Sequence, residues 1–129
     1  MDNSLTQDEL YWKNRPLDDK KRDWDYEEPN WVLDYSKSQA HSHRGYIIEM
    51  LSRMDFESLL EIGCNAGPNL SLISEFFSGR NLAGFDTNEY AVSQAKLLVP
   101  TAEVKIGSLY NMEYPDKSFD VVLSDAVLI

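Results

Sequence analysis

The residues best suited to chemistry surround a short loop of small side chains. Glu61, Gly63, Asn65 and Gly67 are spaced two residues apart, and the apolar stretch Leu59–Ile62 runs into them. Glycine allows positive φ and lets a ligand approach without a Cβ in its path, and asparagine often replaces glycine where φ is positive. The pattern predicts a strand, a tight turn and a helix start, with backbone N–H groups facing a ligand.

The same loop argues against a nicotinamide or flavin dinucleotide site. That fingerprint needs glycines at the first, third and sixth positions. Counted from Gly63, the third position is Asn65 and the sixth is Pro68. Proline suits the first position of a helix, but it removes an N–H and adds bulk where the fingerprint needs close packing. A glycine turn without a ligand remains the other interpretation of this segment.

A further acidic residue follows the next predicted strand, Leu82–Phe85. Ligands bind outside the carboxyl ends of parallel strands, so Asp86 is placed to accept hydrogen bonds from the two hydroxyls of a ribose. Its alternative role is to cap the following helix, Glu89–Leu98. Thr87 or Asn88 can cap that helix equally well, which favours the ribose role.

The elements that must hold these residues alternate along the chain. An order of strand, helix and strand predicts a parallel α/β sheet with right-handed crossovers. A helical pattern over Ser38–Met54 comes first, with Ile47, Leu51 and Met54 on one face. The later strands and helices are predicted, in chain order, at Leu59–Ile62, Pro68–Phe77, Leu82–Phe85, Glu89–Leu98, Ala102–Ile106 and Phe119–Ser124.

From residue 57 onward the joint pattern resembles the class I S-adenosylmethionine-dependent methyltransferases. The first motif of that family is acidic-x-Gly-x-Gly-x-Gly, with asparagine frequent in the middle, and a turn like Pro115–Asp120 leads into its fourth strand. The resemblance implies a Rossmann-like sheet of strand order 3-2-1-4, with S-adenosylmethionine as cofactor and S-adenosylhomocysteine as product. The family's sheet continues beyond a fourth strand. We therefore expect a fold truncated after that strand, the cofactor-binding half of a longer enzyme.

The resemblance also assigns roles to particular residues. The segment Glu61–Gly67 would hold the methionine moiety and Asp86 the ribose. Ser108 and Leu109 follow the third predicted strand and would lie along the adenine, although Leu109 fits the core equally well. The family often has an acidic residue where this chain has Ser108, so one acceptor is missing. Ser124, at the end of the fourth strand, would border the same site.

Asp125 and Arg44 are the remaining candidates. Methyl transfer is a displacement at a carbon activated by a sulfonium, and it needs a general base only when the acceptor is protonated. Asp125 is the candidate base, with helix capping or solvent exposure as its alternative. Arg44 is predicted to bind the cofactor carboxylate, with a solvated helix start as its alternative. His41 and His43 are two residues apart and lack an apparent third ligand, so no metal is predicted.

Composition limits the partners. Of 129 residues, 12 are Lys or Arg and 22 are Asp or Glu, which gives a net charge of −10. This charge disfavours nucleic acid and anionic membrane surfaces. Apolar runs are too short to span a bilayer, the polar start does not fit a secretory signal, and a single cysteine fits a reducing compartment. We predict a cytoplasmic protein with a small-molecule methyl acceptor.

The first 37 residues differ from the rest of the chain in composition. Residues 1–37 are predicted to form an aromatic and charged arm carrying Trp12, Trp24 and Trp31, either wrapped on the surface or loosely ordered. Residues 38–129 are predicted to form the S-adenosylmethionine-binding domain, incomplete at its C-terminus. The apolar fourth strand would have a bare edge, so we expect self-association through it and no turnover by these residues alone. The alternative function is a non-catalytic S-adenosylmethionine-binding or protein-interaction module.

Overall fold

The computed structural model describes residues 6–19 and 30–125, which form a four-stranded parallel sheet and its flanking helices. A short 3-10 turn at Leu109–Asn111 lies between the last two strands. The helices and strands, in chain order, are α1 Gln7–Asn14, α2 Trp31–Ser36, α3 Ser42–Ser52, β1 Ser58–Ile62, α4 Pro68–Phe76, β2 Asn81–Asp86, α5 Glu89–Leu98, β3 Glu103–Ile106 and β4 Val121–Ser124.

The strand order is β3-β2-β1-β4, with every neighbouring pair parallel, which confirms the predicted order. The carboxyl ends of the strands meet along one side of the sheet, which we call the carboxyl edge. There, Ile62 of β1 lies between Phe85 of β2 and Ser124 of β4. Asp86 lies opposite Ile106 of β3. Residues that follow different strands are therefore brought together at this edge.

The two faces of the sheet are covered differently. Successive strand residues point to opposite faces. Leu59 and Leu82 are buried with apolar residues of α3, α4 and α5. On the other face, Leu60 and Phe85 are covered by side chains from the segment that precedes β4, namely Leu109, Tyr114 and Phe119. Val122 of the edge strand β4 is 55% exposed. Helices α3, α4 and α5 thus pack on one face, and the β4 side of the other face is open.

The third helix is shorter than its sequence pattern predicted. It begins at Ser42 and ends at Ser52, so Met54 lies beyond its end and is 50% exposed. Placing Met54 on the buried face was therefore wrong. Ser38 lies in a turn before the helix, where it is buried and bound to Arg44. The other predicted elements agree with the structure to within two residues at each end.

The described part of the arm packs on the carboxyl edge. Trp31 is fully buried beside Ala66 and Ala91, and its indole N–H donates to the carbonyl of Pro16 at 2.9 Å. The guanidinium of Arg15 stacks 4.4 Å from the Trp31 ring. These contacts favour the surface-wrapping interpretation. Trp24 and residues 126–129 lie outside the described residues, and the domain boundary at residue 38 stays a prediction.

In the described ranges, the helices all fall short of the length and apolar character that crossing a membrane requires.

Candidate functional site

The glycine loop between β1 and α4 adopts the backbone that its sequence predicted. Gly63, Asn65 and Gly67 have φ values of 68°, 52° and 87°. A Cβ on Gly67 would lie 3.1 Å from the Cβ of Ala95, so the loop packs closely on α5. Pro68 occupies the first turn of α4, where its missing N–H costs little. The loop therefore presents its backbone, rather than side chains, at the carboxyl edge.

Asp86 faces this loop and does not cap α5. One carboxylate oxygen, Oδ2, accepts from the backbone N–H of Asn65 at 2.8 Å, and Oδ1 accepts from that of Asn88 at 3.0 Å. The cap of α5 is Asn88, whose side chain accepts from Tyr90 and Ala91. Burial raises the pKa of Asp86, and the backbone donors oppose that effect. A carboxylate oxygen accepts more than one hydrogen bond, so Asp86 keeps capacity for ligand hydroxyls.

Glu61 is buried beneath the loop. Its Oε2 accepts from the Nδ2 of Asn69 at 2.7 Å, whereas its Oε1 has no hydrogen-bond partner among the described residues. Burial raises the pKa of Glu61 to about 8, and the hydrogen bond from Asn69 acts in the opposite direction. The raised pKa favours the neutral acid of Glu61 over its carboxylate in the folded protein.

Arg44 is buried in the protein and is not solvated at a helix start. Its Nε donates to the carbonyl of Ser38 at 2.9 Å, and its Nη2 donates to the Ser38 hydroxyl at 2.9 Å. Its Nη1 donates to the Oδ1 of Asn69 at 2.8 Å and to Asp125 at 3.4 Å. Burial lowers the pKa of Arg44, and the Asp125 charge opposes that effect. Binding of a cofactor carboxylate by Arg44 stays a prediction.

Asp125 closes this network from the end of β4. Its Oδ2 accepts from Asn69 at 3.0 Å and from Arg44, and it lies 3.1 Å from the Nε2 of His43. The side chain of Asp125 is 23% exposed, and that of His43 is 50% exposed. The fold thus pairs an imidazole with the carboxylate that the sequence proposed as a base.

The segment after β3 carries Ser108 and Leu109. The Ser108 hydroxyl donates to the Oε1 of Glu9 at 2.7 Å and accepts from the backbone N–H of Tyr110 at 3.1 Å. Leu109 packs against the sheet face that carries Phe85, which favours its core interpretation. Ser124 is half-buried at the end of β4, as predicted.

Three residues of this site were missed by sequence reasoning: Glu9, His43 and Asn69. Asn69 carried a usable signal, because an amide side chain directly follows Pro68 in the first turn of α4, next to the glycine loop. His43 was weighed only as a metal ligand. Glu9 gave no signal, since 99 residues separate it from Ser108. Clusters of three or more metal-ligating side chains do not occur within residues 6–19 and 30–125.

Comparison with known proteins bears on this geometry. Residues 60–129 match the family described as methyltransferase domain, which is more than half of the chain. The chain belongs to the methyltransferase domain family. The matched segment contains the glycine loop, Asp86 and the residues at the ends of β3 and β4. The resemblance inferred from the sequence motifs is confirmed, as is the Rossmann-like α/β fold.

Individual relatives are considerably longer than this chain. A 37.1 kDa protein in transposon TN4556 of Streptomyces fradiae is 30% identical over 94 residues, covering 69% of this chain and 27% of that protein. The 24-methylenesterol C-methyltransferase 2 of Oryza sativa subsp. japonica is 31% identical over 84 residues, covering 60% of this chain and 23% of the relative. The chain therefore spans about a quarter of the length of these relatives.

A solved methyltransferase structure is also similar to this chain over only part of its length. The plantazolicin methyltransferase BpumL, determined in complex with S-adenosylhomocysteine, superposes with a TM-score of 0.52 at 25% identity. The match covers 72% of this chain and 35% of BpumL. The methyltransferase family uses S-adenosylmethionine as its methyl donor.

Proposed function

We propose that this chain binds S-adenosylmethionine at the carboxyl edge and takes part in methyl transfer to a small-molecule acceptor. It would act as the cofactor-binding half of a longer enzyme. The observation that carries the proposal is the hydrogen bond from the Asn65 backbone to Asp86. This bond holds the loop after β1 against the carboxylate after β2, so one ligand can contact both.

The residues present fit an adenosyl amino acid. The positive φ values of Gly63 and Gly67 leave backbone rather than side chain against the ligand, and Asp86 provides acceptor oxygens for a vicinal diol. We propose that Glu61, at the end of β1, and Arg44, which donates to Asp125, meet the charged amino-acid end of the cofactor. The cofactor, when bound, supplies a methyl group already activated by a sulfonium.

Proton removal from an acceptor is best assigned to the pair of His43 and Asp125. The Oδ2 of Asp125 is already bound to Arg44 and Asn69, which makes that oxygen a poor proton acceptor. It instead orients the half-exposed imidazole of His43, so we assign Asp125 a positioning role. In a methyl-transfer assay of the proposed longer enzyme, His43→Gln should lower the rate, and in this chain it should leave S-adenosylhomocysteine affinity unchanged. The exposed neighbour His41 provides the matched control, His41→Gln.

A second candidate function, a protein-interaction module, is supported by the edge strand β4. Within the described sheet, β4 pairs only with β1, and Val122 is 55% exposed. Such an edge can pair with a strand of another copy. This function is compatible with cofactor binding and is distinguished from an enzymatic role by the absence of turnover in the longer enzyme as well.

Calorimetric titration with S-adenosylmethionine, S-adenosylhomocysteine and NAD⁺ tests the proposed function. We expect saturable binding of the first two ligands and none of NAD⁺. Saturable binding of NAD⁺ with none of the sulfonium pair would overturn the proposal.

A further inference from the structure

We propose that Glu9, in the first turn of α1, accepts a hydrogen bond from the amino group of the adenine. Glu9 would thereby replace the carboxylate that many family members carry after β3. This inference rests on the proposed function, and it assigns part of the cofactor site to the N-terminal arm, outside the segment that matches the family.

The contact between Glu9 and Ser108 is the first observation. The Ser108 hydroxyl donates to the Oε1 of Glu9 at 2.7 Å while it accepts from the backbone N–H of Tyr110. The single hydroxyl proton of Ser108 is thus directed at Glu9. Ser108 therefore holds the carboxylate of Glu9 beside the segment after β3.

The second observation is the other oxygen of Glu9. Its Oε2 is buried and has no hydrogen-bond partner among the described residues. A buried carboxylate oxygen without a donor is unfavourable, so such an atom calls for a donor from outside the described protein. The amino group of an adenine is a neutral donor of suitable size.

The position of Glu9 relative to Asp86 is the third observation. Asp86 lies opposite Ile106, and its backbone carbonyl accepts from the N–H of Gly107 at 3.0 Å, directly before Ser108. Ser108 follows Gly107 directly and donates to Glu9, so Asp86 and Glu9 are bound by two consecutive residues of the segment after β3. A nucleoside whose ribose contacts Asp86 can therefore direct its base toward Glu9.

The helix that carries Glu9 is fixed to the domain. The hydroxyl of Thr6 caps α1 by accepting from the backbone N–H of Glu9 at 3.2 Å. The side chain of Asn88 donates to the carbonyls of Trp12 at 2.7 Å and Arg15 at 3.2 Å. The backbone N–H of the same Asn88 donates to the Oδ1 of Asp86. Asn88 thus binds both Asp86, the proposed ribose ligand, and the arm that carries Glu9. Glu9 is therefore held in place before a ligand binds.

The test compares two ligands that differ at the group Glu9 should recognise. S-adenosylhomocysteine has an amino group on its base, and S-inosylhomocysteine has a carbonyl oxygen there. By calorimetry, the unsubstituted chain should bind the adenosyl ligand at least about tenfold more tightly, since a carboxylate cannot donate to a carbonyl. Glu9→Gln should lose most of this preference, because an amide both donates and accepts.

Two further variants separate recognition from folding. Asp8→Asn removes a neighbouring exposed charge from the same helical turn and should leave both affinities unchanged. Glu9→Asp keeps the charge but withdraws the carboxylate, and it should also lose the preference. Thermal unfolding followed by circular dichroism identifies any variant that fails to fold, and the preference is then read from the other Glu9 variant.

The outcomes distinguish this inference from the function on which it rests. Binding of S-adenosylhomocysteine by the unsubstituted chain, with an unchanged amino preference in both Glu9 variants, would overturn the role of Glu9 alone. A lower unfolding temperature without a change in preference would show that Glu9 is only a structural contact of Ser108. No binding of either ligand by the unsubstituted chain would overturn both proposals.

Discussion

Asp86 and Asn65 are 21 residues apart in the chain and are joined by a 2.8 Å hydrogen bond from the Asn65 backbone to the Asp86 carboxylate. Asn65 itself has a φ of 52°, and its side chain accepts from the next backbone N–H, that of Ala66, at 2.7 Å. The turn therefore aims one backbone donor at the end of the neighbouring strand. This relationship fixes the two halves of the proposed nucleoside site to each other.

Replacing Asp86 should weaken the cofactor complex. Asp86→Ala removes the acceptors for the ribose hydroxyls and also the support for the loop, so S-adenosylhomocysteine binding should weaken by roughly 1.5–3 kcal/mol. Calorimetry measures this change. Asp116→Ala, at an exposed carboxylate away from the site, is the matched control. Equal affinities of the two variants would contradict the ribose role.

The loop backbone should tolerate some substitutions and reject others. Gly63 has a φ of 68°, and a β-branched residue there is strained by about 1–3 kcal/mol, so Gly63→Val should abolish ligand binding. Asn65→Gly should bind within about twofold of the original, because glycine adopts the same conformation at no steric cost. Gly45→Val is the control, since a Cβ at Gly45 would meet no atom within 4 Å. Loss of binding in Asn65→Gly would show that the Asn65 side chain contacts the ligand.

Burial of Glu61 should make stability depend on pH. Its pKa is raised from 4.5 in the unfolded chain to about 8 in the folded protein, so the folded state binds more protons between those values. The free energy of unfolding should therefore fall as pH rises from about 5 to 8 and level off above 8. The raised pKa of Asp86 should likewise lower the free energy of unfolding as pH rises.

Glu61→Gln should make the free energy of unfolding less dependent on pH, because the amide is neutral throughout. Between pH 5.5 and 8.5, the stability of this variant should rise by roughly 1–3 kcal/mol relative to that of the original chain. Urea unfolding at the two pH values measures the difference. Glu75→Gln, at an exposed position on α4, should keep the original slope. A Glu61→Gln variant with an unchanged slope would mean that Glu61 is ionised in the folded protein at pH 7.

The 129-residue chain should self-associate and lack turnover. In the described structure β4 is an edge strand with Val122 exposed, and apolar unpaired edges favour pairing between copies. Val122→Lys should shift the chain toward the monomer, because an edge lysine opposes such pairing. Mass measurement in solution and a methyl-transfer assay over a broad acceptor panel test both statements. A stable monomer of the original chain with robust turnover would refute them.

Much of the fold followed from local sequence patterns. Short apolar runs alternating with helical periodicity indicated a parallel sheet, and the handedness of strand–helix–strand units limits the strand orders such a sheet can take. The backbone of the loop followed from residue types, because Gly63, Asn65 and Gly67 are the residues that adopt positive φ at low cost. The end of α3 did not follow, since periodicity over Ser38–Met54 continues beyond the hydrogen-bonded helix.

The sequence by itself therefore determined the α/β class, the glycine loop and the acidic residue at the end of β2, because each depends on neighbours in the chain. The strand order was implied by the resemblance to the methyltransferase family. Only the tertiary structure decided that Arg44 is buried and that His43 meets Asp125 across 82 residues. It also decided that Glu9 meets Ser108 across 99 residues. Such contacts depend on how α1 packs at the carboxyl edge and α3 on the sheet face, and that packing is set by burial of residues such as Trp31 and Ile47 rather than by any local spacing.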